Sequence, residues 1–405
     1  MKYLVILTDG MADYPCPEIN QSTPLMHAHT PNMDALAHTS QIGLVKSVPD
    51  GLKPGSDVAN LSIMGYDPQQ YYTGRSPLEA VSMGVAMTPQ DLSLRCNLVT
   101  LSDESEYFNK TMLDYSAGEI SSAEATELIQ AIEENMGTEM FHFYAGISYR
   151  HLLLWQNGLG HKLQLTAPHD ISGQQISNFL PQGDGADQLL TFMQQSFEIL
   201  AKHPINQKRI AAGKPPANSI WLWGEGSVPL LPNFQEKYQL SGAVVAAVDL
   251  IKGIGQCAGM EVLEVEGATG GIHTNFAGKI EAALQALKKG TDYVFVHIES
   301  ADEAGHQGVL ETKIWSIEQI DQLVIGRIRE ALADFDELKV LITPDHPTPV
   351  HLKTHVSDPV PFMVFEANHP YQPDENRVYD EATAKASGLF ISPGHSLMDY
   401  FIKGL

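Results

Sequence analysis

Cationic side chains are scarce in this chain. Twenty-five lysines and arginines stand against 49 aspartates and glutamates, a formal charge of −24 over 405 residues. Sequence-independent nucleic-acid binding needs a cationic surface that displaces counterions, so that class is excluded. Cysteine is nearly absent: Cys16, Cys96 and Cys257 are widely spaced, form no C-x-x-C pair and are odd in number, which speaks against a disulfide framework. No apolar run approaches the roughly 18–20 residues of a membrane span. The run at the start, residues 2–7, is too short for a signal peptide and leads at once to Asp9. Together these absences place the chain among soluble proteins of a reducing, cytoplasmic compartment. Internal repeats and low-complexity segments are also missing. Lys252-Gly253-Ile254-Gly255 fits neither G-x-G-x-x-G nor G-x-x-x-x-G-K-[ST], so a nucleotide loop is discounted.

What is present is a globular composition, 43% hydrophobic and 18% charged, sufficient for the cores of two domains. Residues 2–8 (KYLVILT), 292–298 (DYVFVHI) and 338–343 (LKVLIT) read as buried parallel strands. Each discharges into polar residues: Asp9-Gly10 after the first, Glu299 and Asp302 after the second, Asp345-His346 after the third. Open α/β sheets bind ligands outside the carboxyl ends of their strands, so residues far apart in sequence are expected to meet there. Between them, helical patterns (SSAEATELIQAIEENM, ADQLLTFMQQSFEILAKH) and strand-like runs (RHLLLWQ, SIWLWG) suggest an inserted domain. The expected division is a core of residues 1–116 and 286–405 with an insert of 117–285. Linkers would lie near 114–118 and in the glycine-rich GATGGIHTNFAG (267–278).

Several motifs offer metal ligands. Asp302 and His306 lie four apart and, if helical, face one side and can chelate one ion. Read alone, the pair is better explained as an N-cap and a surface histidine. Asp345-His346 is followed by His351 and His355; in a regular strand Asp345 and His346 would diverge, but past a strand end the chain is free to turn. His351 has no assigned role and is treated as a non-ligand. Ser56, after Pro54-Gly55 and before an apolar helical pattern, is an N-cap candidate. The same position places a hydroxyl among free backbone N–H groups that favour phosphate, where a metal would make it a nucleophile. His27, His29 and His38 lack a partner carboxylate spacing and read as structural. Asp9, Ser56, Asp302, His306, Asp345, His346 and His355 together can be read as a cage for two divalent ions, a device suited to in-line phosphoryl transfer.

In this order the pieces resemble the alkaline phosphatase superfamily, and within it the cofactor-independent phosphoglycerate mutases of the archaeal type. The resemblance spans essentially the whole chain. It is carried by LTDGMAD (7–13), TPNMDALA (30–37), PGSDVANLSIMGYDP (54–68), YYTGRSPLEA (71–80), RCNLVTLSD (95–103), SYRHLLL (148–154), KPPAN (214–218), DEAGH (302–306), TPDHPTP (343–349) and HVSDPVPF (355–362). It implies an α/β fold, an alkaline-phosphatase-like three-layer sandwich around a mostly parallel sheet, with a smaller inserted α/β lid that binds substrate. It implies one metal on Asp9, Ser56, Asp345 and His346 and a second on Asp302, His306 and His355, with Ser56 transiently phosphorylated. Arg95, Asn97, Arg150, His169, Asp170, Arg209, Lys214, Asn218 and Lys252 become substrate-cleft candidates.

The implied activity is interconversion of 3- and 2-phosphoglycerate in glycolysis and gluconeogenesis, without bisphosphoglycerate. Mixed Asp/His ligation suits manganese or zinc better than magnesium, and the resemblance adds to the preference for manganese, with zinc, magnesium or cobalt as other occupants. Bacterial members carry the serine in N-S-x-V-G-H, whereas this chain has Gly-Ser-Asp-Val-Ala-Asn. That branch also resembles proteins proposed as homoserine kinases, so phosphoryl transfer to homoserine is the alternative. The expected partner is a small phosphorylated substrate, with no nucleic acid and no membrane; oligomeric state is not legible.

Overall fold

Leu4, Val5, Ile6 and Leu7 are fully buried in the strand Lys2–Thr8, which is hydrogen-bonded on both edges to equally apolar parallel strands. A strand covered on both faces needs a continuous apolar run rather than alternation. The computed structural model, which describes residues 1–404, places this strand inside an eight-stranded sheet. The order is Glu261–Val262, Gly242–Val245, Tyr293–Ile298, Lys2–Thr8, Leu338–Thr343, Val360–Glu366, Gln41–Val45, Phe390–Ile391. Pairing is parallel except along Val360–Glu366, which is antiparallel to both neighbours.

Alternate side chains leave on opposite faces. On one face Leu4, Ile6, Val294, Val296, Val340 and Ile342 share a core with Ala283, Leu284 and Leu287 of the helix Phe276–Lys289 and with Ile317, Ile320, Val324 and Ile328. On the other, Tyr3 meets the Phe401 ring edge-on at 5.6 Å, and Tyr293 lies 4.5 Å from Phe234. Gly255, in the helix Asp249–Cys257, comes so near that a Cβ would stand 2.7 Å from the Val244 side chain. Helices therefore cover both faces, giving the three layers and mostly parallel sheet expected from the sequence. Among the described residues no helix is long and apolar enough to cross a membrane.

Met1–Tyr72 and Leu231–Leu405 form one compact unit, and Thr73–Leu230 forms another. Within the second, Leu92–Leu101 lies between Arg150–Trp155 and Ser219–Gly226, antiparallel to both, with Phe141–Tyr144 beyond and Met112–Asp114 at its end. Leu128, Ile129 and Ile132 of the helix Ser122–Met136, and Leu189, Phe192 and Met193 of the helix Ala186–Leu200, close over Leu94, Cys96 and Leu98.

The division falls elsewhere than the 116/117 and 285/286 boundaries read from sequence. Residues 73–116 carry Leu92–Leu101, whose apolar run suits either sheet but pairs with Arg150–Trp155. Residues 231–285 carry Gly242–Val245 and Glu261–Val262, which join the large sheet. The glycine-rich 267–278 stretch lies inside the first unit, where Asn275 caps Phe276–Lys289. Composition marks a flexible segment but cannot say which strand a neighbour will pair with.

Past the carboxyl edge of the large sheet, a buried ion pair ties two loops together. Lys313 Nζ donates to Asp13 Oδ2 at 2.8 Å, to the Ala12 carbonyl at 3.2 Å and to the Thr348 carbonyl at 2.9 Å, and neither Lys313 nor Asp13 has side-chain exposure. The Asp13 N–H in turn donates to Glu381 Oε1, while Thr23 Oγ1 donates to Glu381 Oε2. Burial pushes the Glu381 carboxyl up to about 7 against these bonds.

Two outcomes follow. Lys313→Met leaves a buried carboxylate uncompensated and is expected to cost about 3–5 kcal/mol in urea unfolding, whereas the Asp13→Leu/Lys313→Met double variant loses less. For Glu381 the folded state holds its proton more tightly than the unfolded chain. Its contribution is therefore complete below about 4.5 and is lost as pH rises through about 7. Melting temperature measured over that window is expected to fall for the native chain, and Glu381→Gln is expected to flatten this part of the profile.

Candidate active site

Parallel register carries distant residues to one place. Leu7 pairs with His297 on one side and Thr343 on the other, so Asp9, Glu299 and Asp345 emerge past the same edge of the sheet. Gly10 makes the turn that brings them close. Its φ of +64° is unfavourable for other residues, and a Cβ there would lie 2.5 Å from Asp302 Oδ1. Its N–H donates to Asp345 Oδ1 at 3.1 Å.

Two groups of side chains converge. Asp9, Asp345 and His346 offer ligand atoms within 4.8 Å of one another, and so do Asp302, His346 and His355. Ser56 is the first residue of the helix Ser56–Ile63, with Gly55 rather than the serine at the cap position. Its Oγ lies 3.4 Å from Asp9 Oδ2 and 3.2 Å from His346 Nε2. Asp302 and His306 are one turn apart on the helix Ser300–Gln307, with 3.3 Å between Oδ2 and Nε2, and His306 Nε2 stands 2.8 Å from His355 Nε2. Adjacent Asp345 and His346 both turn inward because they follow the strand end, where the His346 N–H donates to its neighbour's Oδ1 at 2.8 Å. The structure thus brings all seven cage candidates into one locality. His346 belongs to both groups. His351 lies 3.4 Å from Glu18.

The electrostatics of this cluster suit cations. Burial, with the charges of Asp345 and Asp302, raises the Asp9 carboxyl well above the usual carboxylate range. Asp302 behaves oppositely: burial would raise it, but the His306 and His355 imidazoles hold it well below. Burial lowers His346. Asp9 Oδ1 is buried without a hydrogen-bond partner, and the facing His306 and His355 nitrogens cannot satisfy each other when both are unprotonated. Carboxylates that repel, lone pairs that converge and an orphaned buried oxygen together fit divalent ions.

Sequence reading missed the groups behind these. His297 Nε2 is 3.0 Å from Asp9 Oδ2, His297 Nδ1 is 3.0 Å from Glu299 Oε1, and Lys279 Nζ is 2.7 Å from Glu299 Oε2. Burial would lower His297, but Glu299 and Asp9 outweigh it and carry the imidazole to about 10; His297 and Lys279 take Glu299 down to about 2 against burial. Asn60 Nδ2 donates to Asp345 Oδ2 at 2.9 Å and to the Ser56 carbonyl at 2.8 Å. Thr348 Oγ1 donates to Asp302 Oδ1. The available signals were a histidine inside an otherwise apolar strand, two residues before a glutamate, and an asparagine one turn after the serine.

Within the Thr73–Leu230 unit, five substrate candidates gather. Arg95 Nε donates to Glu79 Oε2 at 3.0 Å, and the Arg95 guanidinium lies 4.3 Å over the Trp223 ring. Asn97 Oδ1 accepts from Trp223 Nε1 at 3.0 Å. His169 is 5.3 Å from Trp223 and 6.1 Å from Tyr115, which adjoins Tyr149 and, beyond it, Arg150. Arg75 Nε also donates to Glu79, whose carboxyl burial would raise but Arg95, Arg75 and Arg150 hold low. Asp170 lies 3.6 Å from His169.

The other candidates stand elsewhere. The Arg209 guanidinium is buried and committed to Glu124 and to the Pro215 and Ala117 carbonyls. Asn218 clasps the backbone of Leu101 through both amide atoms, at the irregular Thr100–Leu101 step. Lys252 is in the first unit and is paired with Glu264. In this structure these three side chains are engaged with other groups of the chain and lie away from the contacts of the Arg95–Trp223 cluster. Lys214 is exposed at the end of the Pro204–Ala211 helix region, and its N–H donates to the Arg209 carbonyl.

Residues 37–206 match the family model described as 2,3-bisphosphoglycerate-independent phosphoglycerate mutase. A Geobacter sulfurreducens protein named as a probable mutase of this kind is 51% identical, over 99% of this chain and all of its own length. A Methanosarcina barkeri mutase is 47% identical over the full length of both. Among solved structures, a Pyrococcus horikoshii protein superposes with a TM-score of 0.82 at 31% identity, covering 99% of this chain and 96% of that one. The cofactor-independent phosphoglycerate mutase of Thermoplasma acidophilum gives 0.68 at 25% identity, covering 100% and 99%.

Proposed function

The chain belongs to the 2,3-bisphosphoglycerate-independent phosphoglycerate mutases, and we propose that it interconverts 3- and 2-phosphoglycerate by passing the phosphoryl group through Ser56. One observation carries the role of Ser56: its Oγ stands 3.4 Å from Asp9 and 3.2 Å from His346, inside a cluster of metal-ligating side chains. Homoserine as the acceptor finds no support in these relatives.

Divalent ions bound by Asp9, Ser56, Asp345 and His346, and by Asp302, His306 and His355, would supply the positive charge that phosphoryl transfer requires and a lowered hydroxyl pKa. Mixed carboxylate and imidazole donors suit manganese better than magnesium, and manganese is the proposed occupant ahead of zinc, magnesium or cobalt. The remaining work falls to the chain. The Ser56 hydroxyl is oriented toward Asp9 Oδ2, and the first turn of its helix directs backbone N–H groups toward an anion. Oγ attacks phosphorus in line as the bond to the glycerate oxygen breaks, the Ser56 hydroxyl giving up its proton and the departing glycerate oxygen gaining one, so that a free hydroxyl is left on the glycerate. The glycerate then re-orients, and its other hydroxyl takes the phosphoryl group back.

Retention of the glycerate decides the reaction. If it left early, water would accept the phosphoryl group and the outcome would be hydrolysis. Arg95, Asn97, Arg150 and His169, with Asp170 beside them, are proposed to hold it, since arginine forks match carboxylate and phosphate oxygens. The proposed substrate-binding unit is thus Thr73–Leu230.

Phosphorus NMR of the manganese-loaded protein with 3-phosphoglycerate, and no bisphosphoglycerate, is expected to show 2-phosphoglycerate forming. Ser56→Ala is expected to lose roughly 10⁴-fold or more of that rate. No isomerisation by the loaded native protein, or full activity in Ser56→Ala, would overturn the reading. Arg150→Ala is expected to raise the ratio of inorganic phosphate to isomer, read in the same spectra.

A further inference from the structure

Lys279, His297 and Glu299 lie in the interior, in contact with one another. Lys279 and His297 have no exposure, Glu299 has 5% and Asp9 has 3%. They come from three places: Lys279 from the first turn of the helix Phe276–Lys289, His297 and Glu299 from the end of the strand Tyr293–Ile298, and Asp9 from the end of the adjacent strand. His297 is the register partner of Leu7, so its ring leaves the sheet on the side where Asp9, two residues on, also emerges. Lys279 Nζ additionally donates to the His297 carbonyl at 2.9 Å, which fastens the line to the backbone at its centre.

Burying such a line is expensive, and apolar residues of similar volume would commonly make the fold no less stable. Its near end sets His297 Nε2 at an ion-pair distance of 3.0 Å from Asp9 Oδ2, off the line of a regular hydrogen bond, while the other oxygen, Oδ1, faces His346 Nε2 at 3.6 Å without a hydrogen-bond partner. We propose that Lys279, Glu299 and His297 are positioning residues that fix the Asp9 carboxylate, and so set the metal affinity of the Asp9–Asp345–His346 cluster selectively over that of the Asp302–His306–His355 ligands. Groups that hold metal ligands from behind typically change affinity 10–100-fold when removed. The inference rests on the reading that these clusters bind cations.

Manganese binding to the metal-free full-length protein tests it, by competition with a fluorescent chelator and by calorimetry. The native protein is expected to show two binding steps. His297→Leu weakens one step by about 10–100-fold and leaves the other in place. His297→Gln, whose amide reaches the same oxygen, recovers most of the loss. Glu299→Gln, which keeps the shape but loosens the hold on the ring, weakens the same step less. Thermal unfolding of the metal-free variants separates this from general damage, which lowers both steps together with stability.

Unchanged affinity in Glu299→Gln and His297→Leu overturns the proposal while leaving the metal reading intact. So does tighter binding, which would mean that His297 only balances the Asp9 charge when no ion is present. If His297→Leu does not fold, the Gln variants decide alone: weakening of one step in Glu299→Gln supports the proposal, and equal or tighter binding ends it. Absence of manganese binding by the native protein overturns the metal reading and the proposal with it.

Discussion

Three carboxylates that repel one another, held together past the edge of a parallel sheet, dominate this molecule. Asp9, Asp302 and Asp345 reach the same locality because register brings the ends of their strands together and Gly10 lets the backbone turn without a side chain in the way. None is free to swing away. Asp9 is held by His297, Asp345 by Asn60 and two backbone N–H groups, and Asp302 by Thr348. The repulsion therefore cannot be relieved by motion; it has to be relieved by charge, from protons or from metal. The orphaned oxygen of Asp9 and the facing imidazoles complete a donor set that a single proton serves poorly.

The rest of the charge distribution follows the same logic of local compensation. A chain with a formal charge of −24 handles an anionic substrate only where positive charge is gathered deliberately. In the second unit Arg75 and Arg95 converge on one glutamate, with Trp223 stacked against Arg95 and the aromatic pair Tyr115–Tyr149 adjoining. Glu79 orients the guanidinium groups, much as Glu299 and Lys279 bracket His297 in the other unit. In both places an ion pair from behind sets the direction of the group in front.

The convergence of Asp9, Asp345 and His346 was legible because they follow strand ends, which can be read from apolar runs that stop abruptly. The spacing of Asp302 and His306 was legible as a helical turn. The supporting residues were not, for physical reasons. His297 and Lys279 lie within segments whose pattern is that of a core strand and a core helix, and only the third dimension shows that their side chains meet. The loop-tying contacts of Arg209 and Asn218 were not legible either, because an arginine or asparagine beside a Gly/Pro loop serves equally well to bind substrate or to tie the loop down. The unit boundaries were missed for the related reason that Leu92–Leu101 and Gly242–Val245 look alike as apolar strands, and pairing partners are not written in local composition.

The order of strands in the large sheet also bears on how the chain is made. Tyr3 is the register partner of Tyr293, and Lys2 that of Leu338, so the innermost strand is synthesised first and its two neighbours much later. The whole Thr73–Leu230 unit has its own core and leaves the ribosome in the interval. During that time Leu4 to Leu7 form an unpaired apolar segment with exposed backbone donors and acceptors, the kind of edge that recruits other chains. Such long-range pairing slows folding, because loop closure must precede any gain from contact. The geometry that concentrates ligands at one sheet edge thus leaves this strand without its two partners until Tyr293–Ile298 and Leu338–Thr343 have been translated.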